Sequence, residues 1–224
     1  MSDIDAAAGR YTTVAGEHRS ELEIKRSRFI TVLRRTGTEE EARSLLAGLR
    51  REFHDARHHC SAFVLGPGRE VQRSNDDGEP SGTAGLPMLE ALTKRETFDG
   101  ATDLSDITAV TVRYFGGILL GAGGLVRAYS ESVSSALDTA PLLRRRRMRL
   151  YAVPAAHADA GRIENELRSA GFTVTGTDYG PAGASIGVAL PDVPGSADGF
   201  RDRLAAVTAG GSTPEPLATE WIDL

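Results

Sequence analysis

The chain has 224 residues, 40% hydrophobic and 25% charged, which is ordinary for a globular protein and long enough for two modest domains. No apolar run is long enough to span a bilayer, and the N-terminal MSDIDAAAGRYTTVAG lacks the basic and apolar regions of a secretory signal, so a cytoplasmic protein without membrane contact is expected. The net charge of −5 is uneven: residues 1–150 carry 22 Lys+Arg against 21 Asp+Glu, and residues 151–224 carry 4 against 10. That balance argues against a chain that coats nucleic acid non-specifically, yet it leaves room for a local anion site.

Residues 1–10 read as disordered. Residues 11–14 and 21–24 suit short strands, with Gly16, Glu17 and His18 turning between them. Phe29, Thr31 and Leu33 alternate with Ile30, Val32 and Arg34 in a longer strand, buried on both faces at its start. Lys25, Arg26 and Arg28 stand just before it, as a solvated bend or a minor phosphate contact. Thr38 and Glu41 have the spacing of a capping box, and Ala42, Leu45, Leu46, Leu49 and Phe53 give the following helix an apolar stripe. Arg43, Arg50 and Arg51 lie off that stripe and solvate the surface.

Residues 54–66, HDARHHCSAFVLG, form a strand whose first residues carry polar chemistry. Three histidines and an aspartate invite a metal reading, but the spacing matches no zinc motif and adjacent His58 and His59 face opposite ways on a strand. No metal site is therefore expected. Cys60, the single cysteine, excludes an internal disulfide and fits a reducing compartment. As a mid-strand residue it reads as a small buried side chain rather than a nucleophile. Residues 70–73 return as a hairpin strand. Residues 74–87, SNDDGEPSGTAGLP, are dense in turn formers and read as a loop. Asp76, Asp77 and Glu79 build turns or, less well, hold a divalent cation. Ser81, Gly82 and Thr83 precede a helix and offer hydroxyls and free N–H groups as an anion cradle. Pro87 suits the first helical turn, and Leu89 and Leu92 its buried face. Residues 97–105 are a polar connection.

Residues 107–140 organise the chain: a buried strand, a glycine-rich turn and a long helix. Ile107, Val110 and Val112 suit the strand, and Leu125, Val126, Tyr129, Val133, Ala136 and Leu137 recur at helical spacing. Between them lie Gly116, Gly117, Gly121, Gly123 and Gly124, bracketed by Arg113 and Arg127. A strand, a glycine loop and a helix N-terminus can hold phosphate, or the glycines can serve only close packing. The spacing is neither a Walker A loop nor a dinucleotide fingerprint, so both readings stay open. After Pro141, the arginine run 144–147 reads as a solvated linker or, less often, a nucleic-acid tether. Strands at 148–153, 172–179, 184–190 and 216–222 and helices at 157–170 and 197–207 follow in the order βαββαβ, a ferredoxin-like unit.

The runs RSNDDGEPSGTAGLPMLEAL (73–92) and VTVRYFGGILLGAGGLVRAYSESV (110–133), with EIKRSRFI (23–30) and HDARHHCSAFVLG (54–66), resemble the Impact family in its bacterial branch. The resemblance implies an α+β protein of two domains. Residues 1–143 would have the ribosomal-protein S5 domain 2-like fold, similar to domain IV of elongation factor G. Residues 144–224 would be ferredoxin-like, similar to domain V of that factor. Eukaryotic relatives act in translational control by binding a ribosome-associated activator of a stress kinase, so the partners it implies are RNA, the ribosome or a protein of the translation machinery. Carried over residue by residue, the resemblance places Asp76, Asp77, Gly78, Glu79, Pro80, Ser81, Gly82, Thr83 and Gly85 in the family's acidic-glycine loop. Arg113, Tyr114, Phe115, Gly116, Gly117, Gly121, Gly124 and Arg127 fall in its second signature, and His58 at its strand histidine. Tyr114 or Phe115 could stack a base, or both rings belong to the core.

The expected function is an RNA- or ribosome-associated binding protein in translation regulation, without cofactor or catalytic residues. One rival is an enzyme for a phosphorylated small molecule, with residues 116–124 holding phosphate, Asp76, Asp77 or Glu79 holding Mg²⁺ and His58 as general base. Another is a protein–protein adaptor docking through the acidic C-terminal domain.

Overall fold

The computed structural model describes residues 9–224, so the expectation of disorder over residues 1–10 lies, up to residue 8, outside the described residues. The chain divides into two compact units: residues 11–144, and residues 145–224 together with Gly9 and Arg10.

The first unit contains all but the first residue of β1 (Arg10–Val14), then β2 (His18–Ile24), β3 (Ser27–Arg35), α1 (Glu39–Glu52), β4 (His58–Leu65), β5 (Val71–Asn75), α2 (Gly85–Thr93), β6 (Ile107–Tyr114) and α3 (Ala122–Thr139). Its main sheet has the order β2-β3-β6-β4-β5, antiparallel throughout. β3 and β4 both pair with β6, so they run parallel to each other on either side of it. The alternation along β3 sorts its side chains. Phe29 and Leu33 join Ala62, Met88, Leu125, Tyr129 and Val133 in a core under α2 and α3. Val32 joins Val110, Leu45 and Leu49 under α1 on the opposite face. The cap of α1 is the one its sequence announces: Thr38 Oγ1 accepts from Glu41 N–H at 3.2 Å, and the Glu41 carboxylate accepts from Gly37 N–H at 2.6 Å.

The second unit holds β7 (Leu142–Ala155) from Arg145 onward, α4 (His157–Ser169), β8 (Thr173–Gly180), β9 (Gly183–Pro191), α5 (Ser196–Thr208) and β10 (Glu215–Asp223). Strand order β10-β7-β9-β8 is that of a ferredoxin-like split βαβ unit. Tyr151, Val153, Ile186 and Val188 pack against Ile163, Leu167, Phe200 and Leu204 as its core. The described residues thus form a mixed fold with two antiparallel sheets and five α-helices.

Three expectations are corrected. The arginine run 144–147 is no linker but part of β7. Arg145 Nε donates to Asp223 at 2.8 Å and Arg147 Nε to Asp192 at 2.9 Å, while Arg144 pairs with Asp99 and lies over the Phe98 ring. Repeated charge hid the alternation, and the partners come from distant segments. Ser74 and Asn75 belong to β5, opposite Ala62 and Ser61, so the turn-rich loop is shorter than composition suggests. Gly123 and Gly124 are helical, because α3 starts at Ala122.

Candidate functional site

The strand registers bring the sequence-distant motifs to one end of the first sheet. Arg28 faces Tyr114 and Phe29 faces Arg113, while His58 faces Arg113 from the other side. The start of β3, the start of β4 and the end of β6 therefore coincide. The β2–β3 turn, Arg57, the loop after β6 and the start of α3 all gather there. Lys25 and Arg26 form that turn between the paired Ile24 and Ser27, both with positive φ (47° and 64°), as a two-residue type I′ turn requires. The loop after β6 rests on it. Gly116 N–H donates to Ser27 Oγ at 3.2 Å, and a Cβ at Gly116 would lie 2.0 Å from the Arg26 carbonyl carbon, so only glycine fits.

The acidic loop between β5 and α2 folds onto the same place, but its carboxylates turn inward. Asp76 accepts from the N–H groups of Gly82 (2.8 Å), Ala84 (3.0 Å) and Gly85 (2.8 Å). The N-terminus of α2, expected as a cradle for an external anion, is thus filled by the protein's own carboxylate. Burial works against the Asp76 charge, yet the bonds from Gly82, Gly85 and Ala84 outweigh it and hold its pKa below the usual carboxylate range. Thr83 Oγ1 donates to the Pro80 carbonyl at 2.6 Å, and Ser81 is exposed. Asp77 accepts from His59 N–H at 2.6 Å and from Arg50 Nη2 at 2.5 Å. Arg50 is therefore a strut for this loop and not merely solvating charge. His58 Nδ1 bonds the Asp77 carbonyl at 3.0 Å.

Glu79 reaches deepest. Its side chain is 4% exposed, and it accepts from Arg113 Nη1 at 2.6 Å and from Tyr129 OH at 2.8 Å. Tyr129 OH in turn accepts from Cys60 Sγ at 3.3 Å, and Cys60 Sγ also approaches the Asp76 carbonyl at 3.0 Å. Burial pushes the Cys60 thiol up to about 12 and raises the Tyr129 hydroxyl as well. Burial likewise lowers the His59 pKa, against the pull of Asp77 and with the push of Arg50. The acidic loop thus meets the end of β6, which leads into the glycine-rich loop, through an internal ion pair between Glu79 and Arg113. Asp76, Asp77 and Glu79 face three different sets of partners, and no group of three or more His, Cys, Asp or Glu is placed to hold a metal ion among the described residues.

Around this closed network lies an open rim. Phe115 is 52% exposed, and the Arg113 guanidinium sits 5.7 Å from its ring centre. Tyr114 is half-buried, with its OH donating to Asp55 at 2.7 Å and the Arg28 guanidinium over its ring at 5.5 Å. Neither ring is in the core. Lys25, Arg26, Arg57 and Arg127 are exposed, and their side chains make no ion pair or hydrogen bond among the described residues. Of these only Arg127 stands out from the motif spacing. Arg57 carries no sequence signal beyond preceding a strand, and the Lys25–Arg26 pair looks like any solvated bend until the register places it beside Gly116.

An α+β protein of two units, with a polar network joining its two signature segments at one sheet end, is the class these observations define. The Impact N-terminal domain matches residues 25–137, the segment that contains both loops. The IMPACT family member YvyE of Bacillus subtilis is 47% identical over 171 residues, covering 75% of each chain. The IMPACT family member YigZ of Escherichia coli is 42% identical over 171 residues, covering 75% of this chain and 80% of that one. A crystal structure described as that of a hypothetical protein is 35% identical, with a TM-score of 0.59 over 94% of this chain and 98% of the other. The chain belongs to the Impact family.

Proposed function

We propose that this Impact family protein binds RNA, free or within the ribosome, through the rim at the end of the first unit's sheet, and that it acts in translation regulation. The observation that carries the reading is that four exposed side-chain cations without internal partners among the described residues, Lys25, Arg26, Arg57 and Arg127, stand on the segments that meet this end of the sheet, where the ring of Phe115 is also exposed. Unpaired guanidinium and ammonium groups are free to meet phosphates, and an exposed aromatic face can stack a base. In this reading Arg113, Glu79, His58 and the residue 76–84 loop shape the rim from behind. An enzyme acting on a phosphorylated small molecule fits the geometry less well. His58, Asp77, Glu79 and Arg113 converge as that reading needs, but each is bonded to another of the network.

The test is fluorescence anisotropy with labelled single-stranded RNA at several salt concentrations. Four phosphate contacts predict a log–log salt slope of about −3, since each contributes roughly 0.7 on a single strand. Reversing Lys25, Arg26, Arg57 and Arg127 to Glu should abolish binding without changing the urea midpoint. Absence of binding by the unaltered protein at about 50 mM salt overturns the proposal, because phosphate contacts are strongest there.

A further inference from the structure

Phosphate contacts leave one feature of the rim unused: the tip of the loop between β6 and α3 is apolar and faces solvent. Leu119 is 83% exposed and Ile118 41%. Leu120, next in line, instead packs against the core under α2 and α3. Gly117 and Gly121 bracket the three residues with φ of 84° and 72°, a region that side-chain-bearing residues seldom adopt. The backbone therefore bends sharply on both sides of the tip. It anchors one leucine inward and holds the two neighbouring aliphatic side chains out. Leu86 and Val126, both exposed, line a hollow between α2 and α3, and Arg127 follows Val126 on the first turns of α3, the helix into which the loop runs. Arg26 lies against Gly116 at the base of the same loop.

Resting on the RNA-binding reading, we propose that Ile118 and Leu119 form a wedge that enters a break in a base-paired RNA stem. The protein then selects stems interrupted by an unpaired nucleotide over continuous duplex. Two aliphatic side chains between cations suit such a step. Apolar wedges unstack neighbouring bases, and the cost of doing so is least where pairing is already broken. The major groove of continuous A-form RNA is too deep and narrow for side chains to read, so an uninterrupted stem offers the tip nothing to enter. Arg26 and Arg127 neutralise the phosphates on either side of the opening. An anionic lipid surface is the weaker match. Ile118 and Leu119 together carry fewer carbons than one myristoyl chain, which alone anchors only marginally.

The experiment uses the full chain and two RNA hairpins of equal length, one with a continuous stem and one with a single unpaired nucleotide beside a 2-aminopurine. The unaltered protein should bind the interrupted stem about tenfold more tightly and raise the 2-aminopurine fluorescence, as unstacking does. The double variant Ile118→Ser, Leu119→Ser changes only exposed side chains and should keep its urea midpoint. It should bind both hairpins alike, with the original affinity for the continuous stem and the original salt slope. Equal binding of the two hairpins by the unaltered protein overturns the wedge while leaving the RNA-binding reading intact, as does discrimination that survives in the double variant. Absence of binding to either hairpin at low salt overturns the wedge, and absence of binding to single-stranded RNA as well removes the RNA-binding reading. If the double variant loses binding to phosphatidylserine vesicles or to a protein of the translation machinery while its RNA discrimination is unchanged, the tip belongs to that partner and the wedge is wrong.

Discussion

Asp76 shows how one side chain can settle the meaning of a motif. It accepts three backbone N–H groups at the start of α2, so the helix carries its own anion. Asp76→Asn keeps the shape and removes the charge, and it should cost about 1 kcal/mol at neutral pH. The sign of the pH dependence follows from the lowered pKa of Asp76. Its contribution is present above the ordinary carboxylate value and is lost as pH falls through the folded-state value. Urea unfolding of both proteins should therefore give a difference that shrinks below about pH 4. Arg113 makes a second case. Its side chain is 8% exposed and its partner Glu79 is 4% exposed. Arg113→Ala would strand a buried carboxylate and should destabilise by roughly 3–5 kcal/mol in the same assay. Any loss of ligand binding in that variant would report folding, whereas charge reversal at exposed Arg127 reports the rim.

At the scale of elements, the β2–β3 turn is where stability and proposed function pull apart. Lys25 and Arg26 both occupy left-handed backbone, which Asn and Gly tolerate far better. Lys25→Asn with Arg26→Gly should raise stability by about 1 kcal/mol, read as a higher urea midpoint. The same change removes two rim cations and should flatten the salt slope of RNA binding by about 1.4. A variant that is more stable yet binds as before would move the contact surface away from this turn. α1 is the opposite kind of element, since its N-terminal cap and apolar stripe follow from local residues alone. The arginine-rich β7 lies between. Its backbone pairs with β9 and β10, and two of its arginines meet acidic partners, Asp192 and Asp223, that lie far along the chain.

For the molecule as a whole, Cys60 is a reporter of global opening. Its thiol is fully buried, bonded to Tyr129 and the Asp76 carbonyl, and raised by burial to about 12. The thiolate is the reactive form, so an aromatic disulfide reagent should leave the native protein unlabelled near pH 8. Labelling should then appear with the unfolding transition of the first unit in urea, followed by absorbance against circular dichroism. Labelling well below that transition would mean that the residue 76–84 loop opens separately and uncovers the β4 edge of the network.

Residue order alone determined most of the helices and strands, though not the arginine-rich start of β7, the end of β5 or the start of α3, together with the ferredoxin-like order of the second unit and the family signatures, because periodicities of 2.0 and 3.6 and capping patterns are short-range. The core faces of β3, α1 and α3 were legible for the same reason. The partners of the signature residues were not. Asp77 finds Arg50 27 positions away, and Glu79 finds Arg113 34 positions away. Which charges neutralise one another depends on where strands end in the sheet, and only the register of β3, β4 and β6 supplies that. Tertiary structure thus turned the acidic loop and Arg113 inward and left Lys25, Arg26, Arg57, Arg127 and an apolar tip facing water.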